Sequence, residues 1–138
     1  MDEKIAELTK AWLTKARHDL TAAHRLATED DTVLDTAIYH CQQGGEKALK
    51  GYLAAQAHLI EKTHDLRRLL TECVKYEPSI NQWDAEAKLL SPLVSSFRYP
   101  DETAFAEPTR AEFEQALEAA KHIYDFVLSL LPAETHPV

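Results

Sequence analysis

The chain has 138 residues, with 23 acidic against 15 basic side chains and a formal net charge of -8. This length suffices for one domain whose core needs neither disulfides nor metal, and the charge opposes nucleic-acid binding except through a local basic pocket. The start MDEKIAEL lacks signal-peptide character, and no apolar run reaches the roughly 18 residues that a membrane span needs, so we expect a cytoplasmic protein with no membrane contact.

The first half of the chain predicts two long helices. Apolar residues at steps of three and four indicate a helix from about residue 3 to 28. After the breaker TEDDT, Thr32 and Asp35 resemble the cap of a second helix that runs to about residue 57. Gly44 and Gly45 lie within this helix, where each costs roughly 1 kcal/mol against alanine. Because both project toward its apolar stripe, they predict close helix packing, with a hinge or a ligand approach as alternatives.

A short third helix and an interrupted fourth helix follow. Thr63 is a candidate cap for a helix that should stop before Pro78. Ser79 and Gln82 resemble a capping box for the fourth helix. Pro92 interrupts that helix, which predicts a kink or a restart with Ser91 as the new cap.

The last third of the chain predicts a loop and one clear amphipathic helix. The segment RYPDETAFAEP has two prolines and no period, whereas Thr109 and Glu112 form a capping box before a regular apolar stripe. The tail from about residue 132 is expected to fray. The sequence therefore predicts a single all-α domain over residues 1–138, an antiparallel up-and-down bundle of four to five helices.

Three common enzyme signatures are absent from the sequence. It contains no Gly-rich phosphate loop, HExxH zinc motif or GxSxG elbow, so we expect no cofactor and no metal. Cys41 and Cys73 lack metal-ligand spacing and are expected to be reduced thiols. Of the seven histidines, only His40 and His64 have dense polar surroundings in the sequence.

The second helix carries the main candidate binding residues. His40, Gln43, Lys47 and Lys50 share one flank, and Tyr39, Gln42 and Glu46 share the neighbouring one. Two interpretations stay open: a solvated helix face, or a surface that docks a partner or a nucleotide through its lysines and glutamines. The tetrapeptide THDL, with His64 and Asp65, can likewise be a simple helix start in which an acid favours the helix dipole, or part of a site.

Four segments resemble the prokaryotic HEPN domain family in order and spacing: AWLTKARHDLTAA, AIYHCQQGGEKALKGYLAAQ, KTHDLRRLL and SFRYPDE. The family pattern places its preferred polar residues at Gln42, Gln43, Glu46, Lys47 and Lys50, with further matches at residues 63–66 and 98–100. The resemblance implies a helical bundle that commonly forms a homodimer. It also implies pairing with a small nucleotidyltransferase, as a toxin and antitoxin or as a substrate-binding and transferase pair. The resulting candidates for ligand or partner binding are Gln42, Gln43, Glu46, Lys47, Lys50, His64, Asp65, Arg98 and Tyr99.

Catalytic members of the family resemble metal-independent ribonucleases that use an Arg, four to six intervening residues and a His. Arg98 occupies the expected region, but Thr103, Ala104 and Phe105 stand where the His should be. Tyr99 and Asp101 are poor replacements because their ordinary pKa values lie far from neutrality. Arg17 and His24 have the spacing by chance, since they lie inside the first helix.

The sequence therefore favours a non-catalytic homodimeric module that binds a nucleotide, a nucleotidyltransferase-like partner, or both. The alternative is a ribonuclease toxin in which Arg98 works with His40 or His64. A purely structural dimer without a ligand also stays open. In the hypothesis of a binding module, Arg98, Lys47 and Lys50 contact phosphate or an acidic partner.

Overall fold

The computed structural model describes residues 1–28, 30–100 and 106–138, and over these residues the protein is all-α, without strands. This confirms the predicted helical bundle. The helices are α1 (Glu3–Thr28), α2 (Leu34–Ala55), α3 (Leu66–Val74), α4 (Asp84–Leu90) and α5 (Arg110–Leu130). Short 3-10 turns cover Pro78–Trp83, Ser91–Val94 and Ala133–Thr135. No helix in the described part of the chain is both long and apolar enough to cross a membrane.

Helix α2 forms the centre of the bundle, because α1, α3 and α5 all pack against it. Its glycines lie where side chains of the neighbouring helices come very close to its backbone. A Cβ added to Gly44 would lie 2.8 Å from Leu20 Cδ2 of α1, and one added to Gly51 would lie 2.9 Å from Leu13 Cδ2. Since carbon atoms in contact prefer 3.5–4.0 Å, the close-packing interpretation of the glycines is confirmed.

Gly45 faces the other side of α2. A Cβ there would lie 3.0 Å from both Leu66 Cδ2 of α3 and Leu90 Cδ1 of α4. Both leucines are fully buried. The three glycines therefore allow helices on two sides of α2 to approach its backbone at once.

Two predicted helix starts are wrong in detail. The residue that precedes α2 is Val33, which makes no side-chain cap, so Thr32 does not begin the helix. Asp65, and not Thr63, caps α3: its carboxylate accepts hydrogen bonds from the backbone N–H groups of Arg67 and Arg68. The hydroxyl of Thr63 accepts instead from the N–H of Asp65. An ionised acid is the stronger acceptor at the positive end of the helix.

The capping box predicted at Ser79 and Gln82 is also wrong. These residues lie in the Pro78–Trp83 turn, where Ser79 donates to the Glu77 carboxylate and the Gln82 side chain donates to the Ser79 carbonyl. The interruption near Pro92 is confirmed, since α4 ends at Leu90 and a 3-10 turn follows.

Ser91 does not cap the chain that follows it. Its hydroxyl accepts from the N–H of Leu66 and donates to the Asp65 carboxylate. Ser91 therefore completes the start of α3, a helix 25 positions earlier in the chain. This long-range contact replaces the local cap that the sequence suggested.

The capping box at Thr109 and Glu112 is confirmed in both of its hydrogen bonds. Before it, residues 101–105 of the predicted loop lie outside the described residues. The tail differs from the expected frayed end, because Thr135 is fully buried and His136 Nε2 lies 2.9 Å from the carbonyl oxygen of Leu128. The Arg17 side chain in α1 also donates to the carbonyl of Val138.

Candidate functional site

The polar residues of α2 point mainly into the protein. Gln42, Gln43, Glu46 and Lys50 are all buried, with exposed fractions between 0% and 7%. We call these four residues and His64 the Glu46 cluster. This burial contradicts a solvated face at these four α2 positions, and equally an open surface on which their side chains would contact a ligand or partner directly.

Glu46 is the acceptor at the centre of this cluster. Its Oε1 atom accepts from Gln42 Nε2 at 3.1 Å and lies 2.8 Å from His64 Nδ1. Its Oε2 atom accepts from Lys50 Nζ at 3.0 Å. A buried carboxylate is tolerated only when charge and hydrogen bonds compensate its lost hydration, and Glu46 has both.

Two further hydrogen bonds hold the glutamines of the cluster. Gln43 Nε2 donates to Gln42 Oε1 at 2.7 Å, and Gln42 Nε2 donates to the backbone carbonyl of His64 at 3.1 Å. The Lys50 ammonium lies 5.6 Å from the centre of the Trp12 ring. The Glu46 cluster thus joins α2 to α1 and to the start of α3, which is a positioning role. The His64 imidazole itself is largely exposed.

A second polar group joins α1 to α2 on another flank. Asp19 Oδ1 lies 2.8 Å from His40 Nδ1, and Asp19 Oδ2 accepts from Lys47 Nζ at 2.8 Å. Burial alone would raise the pKa of Asp19, but the hydrogen bonds from His40 and Lys47 outweigh it and keep that pKa below its ordinary value. We call these three residues the Asp19 bridge.

The Asp19 bridge has a consequence for His40. A carboxylate next to Nδ1 favours the tautomer that carries its proton on Nδ1, which leaves Nε2 as an acceptor. The imidazole is partly exposed. His40 is therefore held in a fixed orientation, and Nε2 is the ring nitrogen that Asp19 does not contact.

His40 lies beside Arg98 in one cleft. We call it the Arg98 cleft; it has a volume of about 270 Å³ and is lined by Asp35, Thr36, Tyr39, His40 and Arg98. The Arg98 guanidinium carbon lies 4.1 Å from the centre of the Tyr39 ring, and the centres of the Tyr39 and His40 rings are 5.6 Å apart. Tyr39 thus connects the two candidate functional side chains.

The other candidate residues lie at different places. Tyr99 is 62% exposed, and its ring centre lies 5.3 Å from the Arg98 guanidinium carbon. Asp65 caps α3, and His64 belongs to the Glu46 cluster. The fold therefore brings Arg98 together with Tyr99 and His40, and it keeps the Glu46 cluster as a separate group.

Sequence reasoning missed Asp19 and the two residues at the start of α2 that line the cleft, Asp35 and Thr36. Asp19 had a detectable signal in the sequence, because it lies next to the apolar stripe of α1 and is buried there. A buried acid needs cationic partners, which the sequence could have been searched for. Asp35 and Thr36 had none, since their role depends on where the segment after α4 returns. Among the described residues, no three His, Cys, Asp or Glu side chains gather as metal ligands.

Comparison with known proteins agrees with the family resemblance of the sequence. The model of the HEPN domain family matches residues 9–130. The crystal structure of TT1696 from Thermus thermophilus superposes with a TM-score of 0.77 at 31% sequence identity, over 89% of this chain and 98% of that one. No curated protein sequence matches the chain.

Proposed function

The chain belongs to the HEPN domain family, and we propose that it acts there as a non-catalytic binding module whose Arg98 cleft holds the phosphate of a nucleotide. The observation that carries this proposal is the joint position of Arg98, Tyr39 and His40 along one cleft. A guanidinium is always charged and matches phosphate oxygens with paired hydrogen bonds.

The surroundings of Arg98 suit this role. Its guanidinium lies over the Tyr39 ring, which holds the planar group in place. Nη1 donates to the Val94 carbonyl at 3.4 Å, which leaves the other N–H groups for oxygen atoms. His40 Nε2 can accept a hydrogen bond from a hydroxyl group of the nucleotide, and the exposed ring of Tyr99 can stack on a nucleobase. Lys47 and Lys50 donate hydrogen bonds to carboxylates within the protein, so in this proposal they do not contact the phosphate directly.

Calorimetry with ATP tests the proposal. We expect the Arg98→Ala variant to bind ATP at least tenfold more weakly than the wild type, because its phosphate partner is lost. Arg67→Ala is the matched control, since it removes another exposed arginine far along the chain, on α3. Equal ATP affinity in Arg98→Ala and Arg67→Ala would contradict a phosphate site at Arg98.

The homodimer and the nucleotidyltransferase-like partner remain part of the proposal on the strength of the family resemblance. Analytical ultracentrifugation of the purified chain tests the first, with a single species of twice the chain mass as the expected result. Co-purification with the product of an adjacent nucleotidyltransferase gene tests the second. A monomer that retains no such partner would remove the toxin-antitoxin interpretation.

A ribonuclease is the second candidate, and one observation favours it. His40 is oriented by Asp19 and lines the same cleft as Arg98, whereas His64 is bonded to Glu46. In this hypothesis Nε2 of His40 takes the proton of a ribose 2′-hydroxyl, and Arg98 stabilises the charge that develops on the phosphate.

Incubation with single-stranded RNA in the presence of a metal chelator tests the ribonuclease. If His40 is the base, the variants His40→Gln and Arg98→Ala both lose cleavage, and His122→Gln, which removes an exposed histidine of α5, retains it. Absence of cleavage by the wild type, or cleavage that survives His40→Gln, would eliminate this candidate and leave the binding module.

A further inference from the structure

A groove between α1 and α5 has the composition of a binding site. None of the residues that line it belongs to the Glu46 cluster, the Asp19 bridge or the Arg98 cleft. Its volume is about 440 Å³. Small-molecule sites in proteins typically measure roughly 300–1,000 Å³. The residues that define its chemistry are Arg17, His24, Arg25, Leu117, Lys121 and Tyr124, and we call it the α1/α5 groove.

The charge of the groove is opposite to that of the chain. Three basic side chains, Arg17, Arg25 and Lys121, line it together with one acid, Asp125, whereas the whole chain has a net charge of -8. Such a local excess of positive charge attracts anions that the rest of the surface repels. The Arg98 cleft has one Arg and one Asp on its walls, so the α1/α5 groove is the more basic of the two.

The basic side chains keep capacity for a ligand. Arg17 donates one hydrogen bond to the Val138 carbonyl, but a guanidinium has five N–H donors. Within the described part of the chain, Lys121 forms no ion pair, although Asp125 follows it by one helical turn. Arg25 and His24 are exposed on the α1 wall.

The floor of the groove is apolar. Leu20 from α1 and Leu117 from α5 are partly buried, and Tyr124 is 7% exposed. Burial raises the pKa of Tyr124, and the nearby charge of Arg17 acts against that increase. The groove therefore combines an apolar base with cationic walls from two helices.

We propose that the α1/α5 groove binds a small organic phosphate, whose apolar body lies on Leu117 and Tyr124 and whose phosphate contacts the basic walls. Two guanidinium groups and an ammonium suit a phosphate dianion or a diphosphate better than a carboxylate with a single charge. The apolar floor selects ligands with a ring or an alkyl group over inorganic anions.

The groove also accounts for the positions of Arg17 and His24. Their spacing resembles the ribonuclease motif, and sequence reasoning attributed it to chance. Both side chains line this groove, where they serve as anion contacts on one wall of α1. The groove and the Arg98 cleft share no residue, so the two sites can be tested separately.

Calorimetry with ATP, pyrophosphate and adenosine tests the groove on the full chain. We expect ATP to bind at least tenfold more tightly than pyrophosphate or adenosine, because only ATP engages both the walls and the floor. The double variant Arg25→Gln/Lys121→Gln should weaken ATP binding at this site at least tenfold. The control Lys4→Gln/Lys88→Gln makes the same charge change at exposed positions on α1 and α4 and should bind like the wild type.

The two proposed sites fail in different ways. If ATP binding depends on Arg25 and Lys121 but not on Arg98, the groove stands and the proposed function of the Arg98 cleft falls. If ATP binding depends on Arg98 alone, or if the groove variant and its charge-matched control bind ATP equally, the groove proposal is overturned. Circular dichroism of both double variants verifies that each remains helical, so that a loss of binding reports on the groove.

Discussion

Asp19 of α1 and His40 of α2 are 2.8 Å apart between Oδ1 and Nδ1, and this contact ties a buried acid to the wall of the Arg98 cleft. The second carboxylate oxygen of Asp19 accepts from Lys47. One acid therefore fixes the orientation of His40 and also holds a lysine that the sequence suggested as a ligand-binding residue.

Replacing Asp19 with Asn should destabilise the protein by about 2 kcal/mol, the typical worth of hydrogen bonds to a charged group. Because the pKa of Asp19 is lowered in the folded state, its stabilising effect is present above about pH 4, the ordinary range for Asp. That effect is lost as pH falls from there through the lowered value. Urea denaturation of wild type and Asp19→Asn should thus differ at pH 7 and converge at low pH. A difference independent of pH would contradict the role of the charge.

The Glu46 and Lys50 pair gives a second prediction, because both side chains are more than nine-tenths buried. Glu46→Ala should cost about 3–5 kcal/mol, since it leaves the Lys50 ammonium buried without a counter-charge. The double variant Glu46→Gln/Lys50→Met removes both charges and should cost less than Glu46→Ala alone. Denaturant unfolding of the two variants measures the difference. A double variant less stable than Glu46→Ala would show that the missing counter-charge of Lys50 does not cause the destabilisation of Glu46→Ala.

Gly45 gives a third prediction, since a Cβ there would lie 3.0 Å from side-chain atoms of both Leu66 and Leu90. Gly45→Leu should destabilise the fold by more than about 3 kcal/mol, beyond the usual cost of overpacking, because two fully buried leucines would have to move. Gly45→Ala should change the unfolding free energy by less than about 1 kcal/mol. Its gain in helix propensity offsets a contact of 3.0 Å with the ends of two side chains.

Thermal unfolding measures both Gly45 variants. Ala48→Leu is a useful comparison, because Ala48 is a fully buried small residue on the same helix and should also be intolerant of leucine. A stable, well-folded Gly45→Leu protein would refute the close-packing account of the glycine pair.

The two cysteines give a fourth prediction. Cys41 and Cys73 are free and buried, and burial raises the pKa of each thiol to about 12. The thiolate is the reactive form, so both should react with a disulfide reagent at pH 8 only as fast as the protein opens. In 6 M guanidinium, where the protein is unfolded, both thiols should react rapidly with the reagent. Rapid labelling of the native protein would indicate that α2 or α3 opens locally.

The predicted elements that proved right rest on signals within a few residues of each other. The α1 stripe, the break at Pro92 and the box at Thr109 and Glu112 all depend on local periodicity or local hydrogen bonds. The caps that proved wrong involve residues with competing partners. Ser91 shows this most clearly, because its hydroxyl bonds to Leu66 and Asp65 instead of to the chain next to it.

The sequence by itself determined the helices, the family and the set of polar residues on α2, since helical periodicity and short motifs are properties of neighbouring residues. Only the tertiary structure decided what those polar residues do. The packing of α1 and the segment before α3 onto α2 buries Glu46 and brings the His64 imidazole to its carboxylate. It also brings His40 to Arg98 and collects cations from α1 and α5 into one groove. These contacts join residues far apart in the chain, and their distances depend on how the helices pack.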